Sequence, residues 1–275
     1  MSKVSVLIPV YNREALVARA IESARAQTHN NLEIVVSDNA SSDNTWSVVQ
    51  RLASADSRIR PLRNEANVGP TRNWIRGLAE CRGDYVKILW SDDWLEPTCI
   101  EELLRPLAGN PDVGLAFSSV IVHYADRDVP MHHFAGRAEF TSADYLADAL
   151  IRGQTPVSPG CALVRRDIAR FRLPIGDDAE LNGIAEQFGA GPDLLFLLEA
   201  AASGRRVAHV PKFLTHFGAS QSSITVNHPR AVQEGYRRVR DWFAGQLPSR
   251  PEFGRLKVHL SVRRWRRTLK RAFNL

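Results

Sequence analysis

Residues 88–97 read ILWSDDWLEP, an apolar run that ends on two adjacent carboxylates, Asp92 and Asp93, set between Trp90 and Trp94. Alone, the pair fits a solvated turn or a helix cap as well as a ligand site, because short motifs recur by chance. The surrounding chain decides between them. Upstream, Val4–Val10 is predicted as a β-branched buried strand, Glu14–Ala26 as a helix and Leu32–Ser37 as a second strand. Ser41–Asp43 is placed to cap a helix running to Ala55, followed by a short strand Ile59–Leu62 and a helix Thr71–Ala79. The strand Tyr85–Leu89 and the helix Pro97–Leu107 complete the series. Strands separated by helices of this size predict an α/β fold, doubly wound, with a mostly parallel sheet and flanking helices. Ligands of such sheets bind beyond the carboxyl ends of the strands. Three of those ends carry polar clusters: PVYN at 9–12, SDNASSDNT at 37–45 and WSDDW at 90–94.

After residue 110 the pattern loosens. Val113–His123 reads as one or two strands, Ala125–Arg137 as a loop containing the pair His132-His133, and Thr141–Ile151 as a helix with a Ser/Thr cap. Ala162–Arg165 is expected as a strand, and Pro174–Gly191, rich in Gly and acid, as a mobile loop. A helix Pro192–Ala202 and a strand Arg206–Val210 follow. From Pro229 the chain reads as helical to its end, with a break near Leu247–Pro251. Neither an internal repeat nor a low-complexity segment is present.

At 275 residues, 44% hydrophobic and 24% charged, the chain has the composition of a folded globular protein and not of a disordered one. The apolar run Val4–Val10 is too short for a secretory h-region or a membrane span, and no later stretch reaches about 18 apolar residues. Cys81, Cys99 and Cys161 are widely spaced, match no metal or redox motif, and are expected as buried thiols in a reducing cytoplasm. The net charge of +6 is concentrated: residues 255–275 hold eight Lys or Arg and no acid, leaving 28 basic against 30 acidic residues elsewhere. That asymmetry predicts a local contact with an anionic surface and argues against a nucleic-acid-binding groove.

The strand ends define a chemistry. A carboxylate at Asp38 suits the imide N–H of a uracil or thymine ring, and equally suits a cap on the helix after Ser41. Asn67-Val68-Gly69 makes a tight loop before a helix bearing Arg72 and Asn73, a setting for phosphate or for an exposed helix charge. Asp92 and Asp93 offer hard oxygen ligands of the kind that hold Mg²⁺ or Mn²⁺ against a diphosphate.

With these clusters in this order, the chain resembles the family 2 glycosyltransferases, which have the GT-A fold. The resemblance rests on VSVLIPVYNRE (4–14), IVVSDNASSDNT (34–45) and NVGPTRNWIRGLAECRGDYVKILWSDDWLEP (67–97). It is close over about the first 105 residues and looser to about residue 226. It implies a GT-A domain over 1–226, with a nucleotide-sugar half at 1–110 and an acceptor half at 111–226, and a helical extension at 227–275. By position, Pro9, Tyr11, Asn12, Asn67, Gly69, Arg72 and Ser91 would line the nucleotide pocket and Asp38 would read the base. Asp92 would serve both nucleotide and metal, with Asp93 beside it. The family's metal motif is usually Asp-x-Asp, and here its first position is Trp90. GAGPDLLFLLEAAASGRRVAHVP (189–211) nominates Asp193 as the catalytic base, with Glu186 in reserve. HFGASQSSIT (216–225) falls where the family often covers the diphosphate, which makes His216 a candidate contact.

The implied activity is inverting transfer of a sugar from a UDP- or dTDP-linked donor to a hydroxyl of a glycan or lipid-linked acceptor in cell-envelope polysaccharide synthesis, with Mn²⁺ or Mg²⁺. The implied place is the cytoplasm, peripherally on the inner face of the cytoplasmic membrane. In VHLSVRRWRRTLKRAFNL (258–275), Val258, Val262, Trp265, Leu269 and Phe273 share one helix face, with basic residues around the rest. Such a helix suits an anionic membrane, or packs on the body with its cations solvated. Two rivals stand. A sugar-nucleotide nucleotidyltransferase would be expected to carry a Gly-rich basic loop where Pro9-Val10-Tyr11-Asn12 stands. A decayed, binding-only transferase draws on Trp90.

Overall fold

The computed structural model describes residues 2–219 and 223–262. Its ten-stranded sheet begins with a parallel set, β1 (Val4–Val10), β2 (Leu32–Asp38), β3 (Ile59–Arg63) and β4 (Tyr85–Ile88), in the order β3-β2-β1-β4. Every residue of β1 and β2 is buried, as expected where helices cover both faces of a parallel sheet. The covering helices are α1 (Val17–Arg25), α2 (Thr45–Ala55) and α3 (Pro70–Ala79). In α1 the buried residues Val17, Ala20, Ile21 and Ala24 fall three, one and three apart, the stripe that seats a helix on a sheet.

Beyond β4 the sheet is mixed. A two-residue strand β5 (Trp94–Leu95) and α4 (Cys99–Leu104) follow the carboxylate turn, then β6 (Val113–His123), a single strand of 11 residues. β7 (Asp128–Met131) pairs antiparallel with β6, so the segment expected as loop folds back as a hairpin. After β8 (Glu139–Phe140), α5 (Ser142–Ala147) is capped by Thr141, whose side chain accepts from the Asp144 N–H, and passes into a π-helical turn over Asp148–Arg152. β9 (Ala162–Arg165) lies antiparallel between β4 and β6.

The region expected as mobile, Pro174–Gly191, contains α6 (Ala179–Phe188), capped by the Asp178 carboxylate on the Leu181 N–H at 3.0 Å. Its polar composition hides a short buried edge, Leu181 and Ala185, that docks on α3. α7 (Pro192–Ala201) is buried on nearly every side, a core helix. β10 runs from Arg206 to Gly218, eight residues past the expected end, because it continues parallel to β6 through register shifts between Val210 and Thr215. After α8 (Ile224–Asn227), α9 (Pro229–Gln246) packs across α6 and α7. Val239, Phe243, Phe253 and Leu256 join the core around α7. The chain is helical again over 254–262, and the remainder of the basic stretch, with Trp265, Leu269 and Phe273, lies outside the described residues.

Candidate active site

The ends of β1 and β2 are laced together. Asn12, with φ of 49°, donates its backbone N–H to Ser41 Oγ at 2.9 Å and accepts from the Ser42 N–H at 2.9 Å. A short polar side chain tolerates this left-handed conformation better than most. Tyr11, beside it, is exposed. Asp38 is fully buried; its carboxylate accepts from the Ser41 hydroxyl and N–H and pairs with Arg63 Nε at 3.3 Å. Asn67 Oδ1 accepts from Asn39 Nδ2 at 2.7 Å and from the Gly69 N–H at 2.9 Å, so its amide oxygen shapes the loop entering α3. Asn12 and Asp38 meet through Ser41, Asn67 and Gly69 shape the loop beside Asn39, and Pro9 lies next to Ser37 in the β1–β2 register. Arg72 is exposed and ion-paired with Glu186 at 2.8 Å, which brings two residues nominated for different roles into contact.

The β4 end is the second cluster. Asp93 is buried, and its Oδ1 accepts from the Gly218 N–H at 3.0 Å. Asp92 is half-buried; its Oδ2 lies 3.5 Å from Ser223 Oγ, and its backbone oxygen accepts from Arg19 Nη2 at 2.7 Å. A Cβ on Gly218 would sit 2.5 Å from the Asp92 backbone oxygen, so only glycine lets β10 close on this turn. Burial raises both carboxyls above their usual range, Asp93 well above it because the Asp92 charge adds to the effect. Arg13 and Arg19 act on Asp92 in the opposite sense. Lys87 is fully buried below the turn; its ammonium donates to the Gly160 carbonyl and offsets part of the Asp93 charge.

Among the described residues no group of three or more His, Cys, Asp or Glu gathers to form a complete metal cage. Two adjacent, partly desolvated carboxylates fit a hard divalent cation that takes its remaining oxygens from a diphosphate and water, the usual habit of Mg²⁺.

Trp90, standing where an acid was expected, is a packing residue. Its indole N–H donates to Ser158 Oγ at 2.8 Å, and its ring lies 4.7 Å from Trp74. Trp74 continues to Phe171 at 5.4 Å, and Phe171 to Phe196 of α7 at 4.7 Å. A row of rings thus joins the carboxylate turn to α7.

Both ring nitrogens of His216 are engaged, Nε2 with Glu96 at 2.8 Å and Nδ1 with His123 Nε2 at 2.9 Å, leaving none for a diphosphate in this arrangement. His123 Nδ1 meets Asp128 at 2.7 Å, and Trp94 stacks on both imidazoles. The other side-chain pair of note, His132-His133, lies past the end of β7, with His132 at φ 57°.

Asp193 occupies the first turn of α7, where a carboxylate is favoured by the helix dipole. Its Oδ1 accepts from the Gly191 N–H at 2.9 Å and the Leu194 N–H at 2.8 Å, and Oδ2 accepts from the Tyr236 hydroxyl at 2.6 Å. Burial dominates and pushes the carboxyl up to about 6, against the lowering effect of these donors. That value suits a general base at neutral pH. Tyr236, Gly218, Ser223, Arg19 and His123 escape a reading of the sequence, because their partners lie far along the chain and no local spacing announces them.

The sheet order and the carboxylate turn at the end of β4 define a GT-A protein. The fold is shared with Staphylococcus aureus TarS residues 1–349 in complex with UDP-GlcNAc, at a TM-score of 0.71 and 19% identity, over 94% of this chain and 69% of that one. Glycosyl transferase family 2 matches residues 5–172, and the chain belongs to that family. EpsH of Bacillus subtilis is 28% identical over 234 residues, 84% of this chain and 65% of EpsH. A GalNAc(5)-diNAcBac-PP-undecaprenol β-1,3-glucosyltransferase of Campylobacter jejuni is 41% identical over 106 residues, 38% of this chain and 34% of that protein. The chain thus spans about two thirds of one relative and a third of the other.

Proposed function

We propose that the protein transfers a sugar, with inversion, from a UDP- or dTDP-linked donor to a hydroxyl of a glycan or lipid-linked acceptor in envelope polysaccharide synthesis. The observation that carries this reading is the Asp92–Asp93 turn at the end of β4, in a family 2 sheet, two adjacent carboxylates that burial raises above their usual range despite Arg13, Arg19 and Lys87. TarS in complex with UDP-GlcNAc and the undecaprenol-linked acceptor of the Campylobacter enzyme support the choice of donor and acceptor class.

In this reading Pro9, Tyr11, Asn12, Asn67, Gly69, Arg72 and Ser91 shape the nucleotide pocket, and Asp38 recognises the base through a carboxylate whose Oδ1 now accepts from the Ser41 hydroxyl and whose Oδ2 pairs with Arg63. Asp92 and Asp93 hold Mn²⁺ or Mg²⁺, which when bound offsets charge on the leaving diphosphate as a Lewis acid. Asp193 takes the acceptor proton through the remaining lone pair of Oδ2 while Gly191, Leu194 and Tyr236 fix its plane. Trp90 holds the turn in place through Ser158 and Trp74, a structural substitute for the acid missing from the motif.

Residues 255–275 supply the membrane contact. No helix among the described residues is long and apolar enough to cross a bilayer. Val258 and Val262, the described members of the apolar stripe, are 66% and 45% exposed, and so are available to a surface.

A thermal-shift panel of nucleotide sugars with and without Mn²⁺ tests the donor reading. A UDP- or dTDP-sugar is expected to stabilise the protein only with metal, and Asp92→Ala to abolish the effect. Binding of no nucleoside diphosphate in the presence of Mn²⁺ would refute it. Sedimentation with phosphatidylglycerol vesicles, compared with phosphatidylcholine vesicles, tests the tail.

A further inference from the structure

α9 reaches back to the carboxylate of Asp193. Gly235 makes this possible: a Cβ there would stand 2.8 Å from the Ala190 backbone oxygen, so any other residue would lift α9 off the loop that leads into α7. With the helix seated, the next residue, Tyr236, lays its hydroxyl 2.6 Å from Asp193 Oδ2. The bond crosses 43 residues of sequence and reaches Oδ2, while the Gly191 and Leu194 N–H groups hold Oδ1 of the same carboxylate.

We infer that Tyr236 is the positioning residue of the base: it holds Oδ2 toward the acceptor and sets how tightly Asp193 keeps a proton. This rests on Asp193 being the base. Burial and the neighbouring carboxylate push the Tyr236 phenol well above its ordinary range, so the proton in this bond stays on Tyr236, which donates. A donor to the charged form lowers the carboxyl's proton affinity. Without Tyr236, burial would act on Asp193 with less opposition, and the group would stay protonated to higher pH. The other charged group that α9 brings to Asp193 is Arg240, whose Nε donates to the Ala149 carbonyl at 3.0 Å. Arg240 favours the ionised carboxylate in the same sense, so it fixes a background that the tyrosine modulates. The division of labour is chemically economical, since the accepted proton must leave Asp193 before the next turnover.

The test compares wild type with Tyr236→Phe and with 3-fluorotyrosine placed at 236, following UDP release from UDP-glucose and UDP-N-acetylglucosamine between about pH 5 and 9 with Mn²⁺. The phenylalanine variant should move the acidic limb of kcat/KM up by about one pH unit, a loss of about fivefold near pH 6 that approaches tenfold at about pH 5 and closes toward pH 9, since hydrogen bonds to charged groups carry about that weight. Fluorotyrosine, a stronger donor on the same frame, should move the limb down. A uniform loss at every pH, with the limb unmoved in both variants, would overturn the inference and leave Tyr236 a packing residue. ¹³C-carboxyl titration of Asp193 in the intact chain, assigned with Asp193→Asn, reads the same shift without turnover, and an unmoved midpoint in Tyr236→Phe likewise overturns it. Asp193→Asn keeps the two readings apart. If it releases UDP at the wild-type rate, the base assignment fails, whatever Tyr236 does to the carboxyl.

Discussion

Replacing Asp193 by Asn should remove activity and raise stability together. The native carboxyl is held at about 6 against an ordinary 3.8, so the folded state binds its proton more tightly than the unfolded chain does. For an acid shifted upward the sign is unfavourable: stability falls as pH rises through the window between those two values, and the full penalty stands above it. A shift of about two units corresponds to about 3 kcal/mol at neutral pH. Asparagine keeps an oxygen for the Gly191 and Leu194 N–H groups and can donate to the Tyr236 oxygen, so little is lost in exchange. At about 2–4 °C per kcal/mol for a chain of this size, the melting temperature at pH 7.5 should rise by about 6–12 °C. Thermal unfolding by circular dichroism checks this, and the gain should shrink as pH is lowered from about 6 toward about 4. A variant less stable than wild type at pH 7.5, or a gain that ignores pH, would show that burial does not strain this carboxylate. Sites that trade stability for chemistry behave in the expected way.

Asp92→Asn should reduce Mn²⁺-dependent UDP release by about 10²–10³-fold, the scale of losing one electrostatic contact to a developing charge, while Mn²⁺ binding by calorimetry weakens in parallel. Gly218→Ala should cost about 1–3 kcal/mol in denaturant unfolding, because its Cβ meets the Asp92 backbone oxygen at 2.5 Å. Trp90→Ala should cost about 2–4 kcal/mol by the same measurement, since it opens the ring row between the turn and α7 and removes one of the two donors to Ser158 Oγ, the other being the Gly160 N–H. Arg72→Ala should leave stability within about 0.5 kcal/mol, its ion pair with Glu186 being exposed on both sides, so any large rise in KM for the nucleotide sugar reports a lost diphosphate contact.

The first half of the fold is legible because each element there is dictated locally. β1 and β2 are rich in β-branched and aliphatic residues, and α1 carries its stripe in four residues. The carboxylate turn is legible for the same reason, being an abrupt change of polarity at a strand end. α6 is not, since its buried edge is only Leu181 and Ala185 within a polar segment, and its cap, Asp178, resembles any loop acid. The length of β10 is hidden too: past Val210 it is held by β6, 90-odd residues upstream, and its register shifts break the alternation. Trp90 reads as a defect in a metal motif until Trp74 and Ser158 are seen against it. His216 reads as a free loop imidazole until His123 and Glu96 take both its nitrogens.

The grip of β10 on the carboxylate turn bears on recombination between relatives. Exchange of acceptor preference within such a family invites a crossover near residue 172, where the match to the family ends. The carboxylates Asp92 and Asp93 would then come from one parent, while Gly218 and Ser223, which hold them, would come from the other. Asp193 and Tyr236 would travel together and keep their bond. A chimera made at that seam keeps the Asp193–Tyr236 bond intact and leaves the carboxylate turn unsupported, unless the incoming strand also brings a glycine to the place of Gly218.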